Sequence, residues 1–169
     1  GRLAACYASA VANPEELERE LERLHADASR AWPGVVVAAE AFARHLGERA
    51  AAGDGPSSLH TNDLYLAIAC LAGDSVALDH FERRFMKQLP RLVSKIRLSP
   101  SAQHDLAQKL RTDLFVASPA WGPPKIASFS GRGELMGWLR VLSTRAALKA
   151  LRASSKEELA SSEDDALAE

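Results

Sequence analysis

The stretch FSGRGELMGWLRVLSTRAALKALR, residues 129–152, decides how the rest of the chain is read. Gly131 and Gly133 give it a hinge, and after them apolar residues recur at helical spacing. Leu139, Leu142, Ala146 and Ala150 fall on one side of such a helix and are expected to face a core. Trp138, Arg145, Lys149 and Arg152 recur at i, i+7, i+11 and i+14. At about 100° per residue these four share roughly 60° of arc beside the apolar seam. Arginine and lysine neutralise phosphates, and an aromatic ring stacks on an unpaired base. A basic stripe headed by an aromatic therefore points to nucleic acid. A solvated surface helix whose tryptophan belongs to the core would carry the same spacing.

Immediately upstream, SPAWGPPKIAS (residues 118–128) is too rich in proline and glycine for a regular element. It reads as a loop carrying Trp121 and Lys125. Downstream, SSKEELASSEDDALAE (residues 154–169) is acidic and serine-rich, and is expected to be a fraying helix end that becomes a linker. Toward the N-terminus, the order Asn13-Pro14-Glu15-Glu16 is a helix start: a cap, a first-turn proline, then acids at the positive end of the dipole. Trp32-Pro33-Gly34 breaks that helix. Further helices are predicted from about Val37 to Ala51, from Thr61 through Leu71, from Val76 toward Leu89, and onward from Ser99-Pro100.

The formal net charge of −1 hides an asymmetry. Residues 81–152 hold 14 of the 21 Lys+Arg and 4 of the 22 Asp+Glu, which makes that segment +10 and the remainder −11. Such a block is an electrostatic footprint for a polyanion. The acidic flanks, Glu15 to Asp27 above all, could instead lie against it and screen it, or bind a regulator.

The 169 residues suffice for one or two small domains with a real core. Abundant alanine, sparse β-branched and aromatic residues, and prolines placed between periodic segments favour an all-α protein. Two cysteines make no disulfide framework, so a reducing cytoplasm is the expected setting. No apolar run approaches membrane length, and no signal peptide is recognisable. The five histidines lie far apart, and neither a metal motif nor a nucleophile elbow occurs. Gly131-Arg132-Gly133 lacks phosphate-loop spacing. No catalytic residue, metal or cofactor is therefore assigned, and the chain is not expected to be an enzyme.

Three blocks, in order, resemble the bacterial RNA polymerase sigma factors of the extracytoplasmic-function (ECF) group. Ala72-Gly73-Asp74-Ser75-Val76-Ala77, followed by Phe81-Glu82-Arg83-Arg84-Phe85, is similar to that family's opening AGD-xx-A helix with its later aromatic pair. Asp105-Leu106-Ala107-Gln108 is similar to its D-L-V-Q-E-V-F helix. Phe129-x-Gly-Arg-Gly-x-Leu-x-x-Trp-Leu-Arg-Val, ending at Leu151-Arg152, is similar to its F-x-G-x-x-x-F-x-x-W-L helix. The resemblance covers about residues 62–153, the family's region two. The helix-turn-helix second domain of the family is not among these residues.

The resemblance implies a small helical bundle over residues 59–153, preceded by extra helices over 1–58 and followed by an acidic tail over 154–169. It implies promoter minus-ten recognition and melting, with promoter DNA and the clamp of the polymerase largest subunit as partners, and with an anti-sigma factor or other regulator as a further one. Asp105, Gln108 and Lys109 would face the polymerase. Trp121, Lys125, Arg132, Arg140, Arg145, Lys149 and Arg152 would face DNA. Lys109 and Arg111 stand where the family carries a glutamate and an aromatic, and Arg145 and Lys149 where it carries asparagine and aspartate. The last two changes favour phosphate contact over base readout. The competing expectation is a degenerate sigma-like module that binds a protein regulator and no DNA.

Overall fold

Asn13 starts the first long helix as its side chain predisposes it to: its carboxamide oxygen accepts from the Glu16 N–H at 3.3 Å, and Pro14 occupies the first turn. The computed structural model describes residues 1–7 and 12–168. The helices are α1 (Arg2–Tyr7), α2 (Pro14–Ala31), α3 (Ala39–Arg49), α4 (Thr61–Leu71), α5 (Ser75–Arg84), α6 (Leu89–Leu92), α7 (Pro100–Phe115) and α8 (Leu135–Leu167). Among the described residues there is no strand; Ser118 and Gly122 form one isolated bridge. The protein is all-α.

Three differences from the sequence reading have physical causes. The helix predicted from Val76 toward Leu89 breaks after Arg84 into a 3₁₀ turn, Met86–Gln88, and the short α6. Pro90 sits in the first turn of α6, where its missing N–H leaves no helical bond unmade. The N-terminal α1, for which no pattern was recognised, is tied to α2 by Glu18. That carboxylate accepts from the N–H groups of Leu3 (3.1 Å) and Ala4 (2.7 Å), and the Ala4 bond chiefly holds its pKa below the usual value. The acidic tail is no linker over its described part: α8 continues through Leu167, with residues 152–167 exposed.

The AGD block has a mechanical meaning. Gly73 adopts φ +79° to end α4, and the Asp74 carboxylate accepts from the Ala77 N–H at 2.8 Å to begin α5. Phe81 and Phe85 are then buried against each other, and Phe81 packs with Phe115 of α7.

Residues on both sides of position 58 share one buried cluster, from Leu3 to Ala147. The Tyr65 hydroxyl of α4 donates to the Val35 carbonyl at 2.9 Å and accepts from the Val37 N–H at 3.1 Å. The Trp32 indole donates to the Asn62 carbonyl at 2.8 Å. Edge-to-face contacts link His25, Phe42 and Tyr65. The first helices are thus part of the packing that positions α4 and everything α4 supports.

Arg111 finds a use within the fold. It grips Glu82 with a two-point fork, Nε at 2.9 Å and Nη2 at 2.6 Å, and so clamps α7 to α5. The fork holds the Glu82 carboxyl below its ordinary range and the Arg111 guanidinium above its own. A carboxylate depressed in the folded state stabilises above its unfolded pKa, and that contribution disappears as pH falls through the folded value. Both side chains are more than a third exposed, so the pair contributes about 0.5–1 kcal/mol. Glu82→Gln should therefore lower stability by about that much at pH 7, and the difference from wild type should close on acidification below about pH 4. Urea unfolding of both proteins across that range measures it.

Candidate nucleic-acid interface

The basic helix α8 is started from outside its own sequence. Its N-cap residue, Glu134, makes no capping bond; instead the Asp63 carboxylate of α4 accepts from the Leu135 N–H at 2.8 Å. An acid at a helix N-terminus also matches the dipole. Asp63→Ala should cost about 1 kcal/mol, and hydrogen exchange should speed up in the first-turn amides of α8 ahead of the rest of the helix.

The buried seam of α8 is Leu135, Leu139, Ser143 and Ala147. It is rotated by roughly 35° from the predicted seam. Leu142 and Ala146 flank it, packed against the core, and Ala150 is half-exposed. The reason is Ser143, whose fully buried hydroxyl has no partner among the described residues. A pattern built on apolar residues passes over a serine at the centre of a seam.

The predicted stripe divides in two. Trp138 is half-buried, its ring meeting Phe129 edge-on at 5.7 Å. Arg145, Lys149 and Arg152 are exposed, and none has a carboxylate partner among the described residues. Arg140 is exposed as well, but on the opposite flank of the seam, where it lines a groove with Arg91 and Lys95. Neither Arg91 nor Lys95 stood out in the sequence beyond membership of the basic block.

The loop ahead of α8 is a built platform. Ser118 and Gly122 exchange backbone bonds of 2.9 and 2.7 Å, which close a tight turn around Trp121. The Trp121 indole donates to the Val116 carbonyl at 3.3 Å, while the residue stays 51% exposed. Beneath the loop, Ile126 and Phe129 are buried. Arg49 of α3 donates to the Phe129 carbonyl at 3.1 Å and to that of Ala127 at 3.5 Å. Burial lowers the pKa of Arg49 from the ordinary arginine value, against the opposing pull of Glu48. The His60 N–H donates to the Gly131 carbonyl at 2.7 Å. Arg132, just beyond that anchor, is exposed.

Two predicted contact lysines converge on one buried acid. Lys109 reaches the Asp113 carboxylate at 2.9 Å and Lys125 reaches the same oxygen at 3.8 Å. A buried carboxylate needs such partners; Lys109 supplies one from within α7 and Lys125 joins the loop to α7, both while partly exposed to solvent. Asp105 is exposed on α7, and Gln108 accepts from Arg111 at 3.2 Å.

The chain matches no protein-family model, no curated protein and no solved structure.

Elsewhere, the buried Cys70 thiol is pushed up to about 12 by desolvation, which makes it a packing group and no nucleophile. No carboxylate of α2 pairs with a cation of the basic block among the described residues. Glu18 and Glu20 bind α1 and Ser57, and Asp27 binds Arg23 and Arg30. The alternative in which the acidic helix covers the basic face thus finds no direct ion pair among the described residues. No described helix is long and apolar enough to cross a membrane.

Proposed function

We propose that this chain recognises and melts promoter DNA as a sigma subunit of bacterial RNA polymerase, in the manner of region two of the ECF group. The observation that carries the reading is the set of exposed cations Arg145, Lys149 and Arg152 on α8, without carboxylate partners among the described residues, downstream of an anchored loop that presents Trp121. Cations hold the backbone of a strand, and an exposed indole stacks on an extruded base; together these contacts offset the cost of opening a few base pairs. The exposed face of α7 around Asp105 and Gln108 would meet the polymerase clamp. Polymerase then performs the chemistry, in a reducing cytoplasm.

Labelled single-stranded minus-ten DNA, offered to the protein alone and with core polymerase, tests this. Three phosphate contacts on a single strand predict a salt slope of about −2 in log K against log[salt]. Absent or salt-insensitive binding in both settings would favour the second reading, a module that binds a protein regulator. What favours that alternative is the exposed acidic surface of α2, where Glu15, Glu16 and Glu22 pair with no cation among the described residues.

A further inference from the structure

The groove behind α8 holds more positive charge than the predicted stripe. Arg83, Arg84, Arg91, Lys95 and Arg140 line a space of about 890 Å³ between the α5–α6 segment and α8, and no carboxylate lines it. Arg83 is paired with Asp79 at 2.6 Å, and Arg84 lies over the Trp32 ring at 5.8 Å. Arg91, Lys95 and Arg140 have no carboxylate partner among the described residues. Like charges gathered around one groove repel each other, so a groove of this kind is stabilised by a polyanion that fills it.

The geometry of α8 says how this groove relates to the stripe. Arg140 is roughly 150° around the axis from the centre of Arg145, Lys149 and Arg152. On the buried side the seam separates them. On the solvent side the crest between them is apolar, with Val141 50% and Leu148 41% exposed. A helix with its side chains is about 10–12 Å across. The molecule thus offers two phosphate tracks with an apolar ridge between them, and bases freed from pairing have apolar faces to lay against such a ridge.

We propose that the groove is a second nucleic-acid site, which holds the sugar–phosphate backbone of one separated strand while the stripe holds the other, so that α8 stands as a wedge between them. This rests on the proposed promoter-melting function and extends it from one strand to two.

The experiment uses the full chain and a DNA bubble whose two strands carry different labels. A photo-crosslinking residue placed at position 95 or at position 149 should mark opposite strands. Arg91→Gln with Lys95→Gln should flatten the salt slope on the bubble by about 1.4 and weaken binding about 25-fold at 0.1 M salt. Both side chains are exposed, so the thermal midpoint should stay at the wild-type value and serve as the check on folding. Crosslinks from both positions to the same strand, or a double variant with wild-type slope, would overturn the second site while leaving the stripe intact. Wild-type protein that binds no bubble DNA would instead overturn the proposed function, and the second site with it.

Discussion

Gly131→Ala is expected to destabilise the fold by about 2–4 kcal/mol, the sum of a left-handed backbone penalty and overpacking. Gly131 has φ +73°. A Cβ added there would run into Cδ1 and Cγ of Leu64, which is fully buried in α4 and has no room to retreat. The backbone cannot swing away either, because its carbonyl accepts from His60 N–H at 2.7 Å. For a chain of this size the loss corresponds to a fall of roughly 4–16 °C in thermal midpoint. Gly133→Ala is the internal control: nothing lies within 4 Å of its Cβ position and its φ is ordinary, so it should stay within about 0.5 kcal/mol of wild type. Equal midpoints for the two variants would show that the loop is not pinned against α4. The site would feel the same defect, since the anchored carbonyl lies four residues before the start of α8.

That contrast marks where sequence reading reaches its limit. Gly131 and Gly133 looked like equal halves of a hinge, because spacing reports flexibility and says nothing of what lies a few ångströms away. Caps were legible: Asn13, Asp74 and Ser99 each accept from an N–H three residues on, a purely local event. The cap on α8 was not, because its donor and acceptor are 72 residues apart. Lys109 pairs with Asp113 one helical turn on, a spacing the sequence already holds, whereas Arg111 grips Glu82 from 29 residues away, a partner that only tertiary packing supplies. The same holds for Arg140. Its charge was visible, but the groove it lines is made with α5 and α6.

Binding measurements can separate the two kinds of contact assigned to the stripe and the loop. Arg145→Gln with Lys149→Gln removes two phosphate contacts, each contributing about 0.7 to the single-strand salt slope. Affinity for single-stranded minus-ten DNA should therefore fall about 25-fold at 0.1 M salt, and the deficit should shrink toward nothing near 1 M. Trp121→Ala removes a stacking surface worth about 1–3 kcal/mol per base, and its deficit should be the same at every salt concentration. Both sets of side chains are exposed, so neither variant should disturb the core. A titration of each across 0.05–1 M salt, roughly the range over which screening changes most, distinguishes them by slope and by intercept. If the glutamine pair leaves the slope unchanged, the cations of α8 are solvated charges and the strand is not gripped there. If Trp121→Ala changes the slope, the loop acts through charge, and the indole serves as a prop for Val116 without stacking on a base.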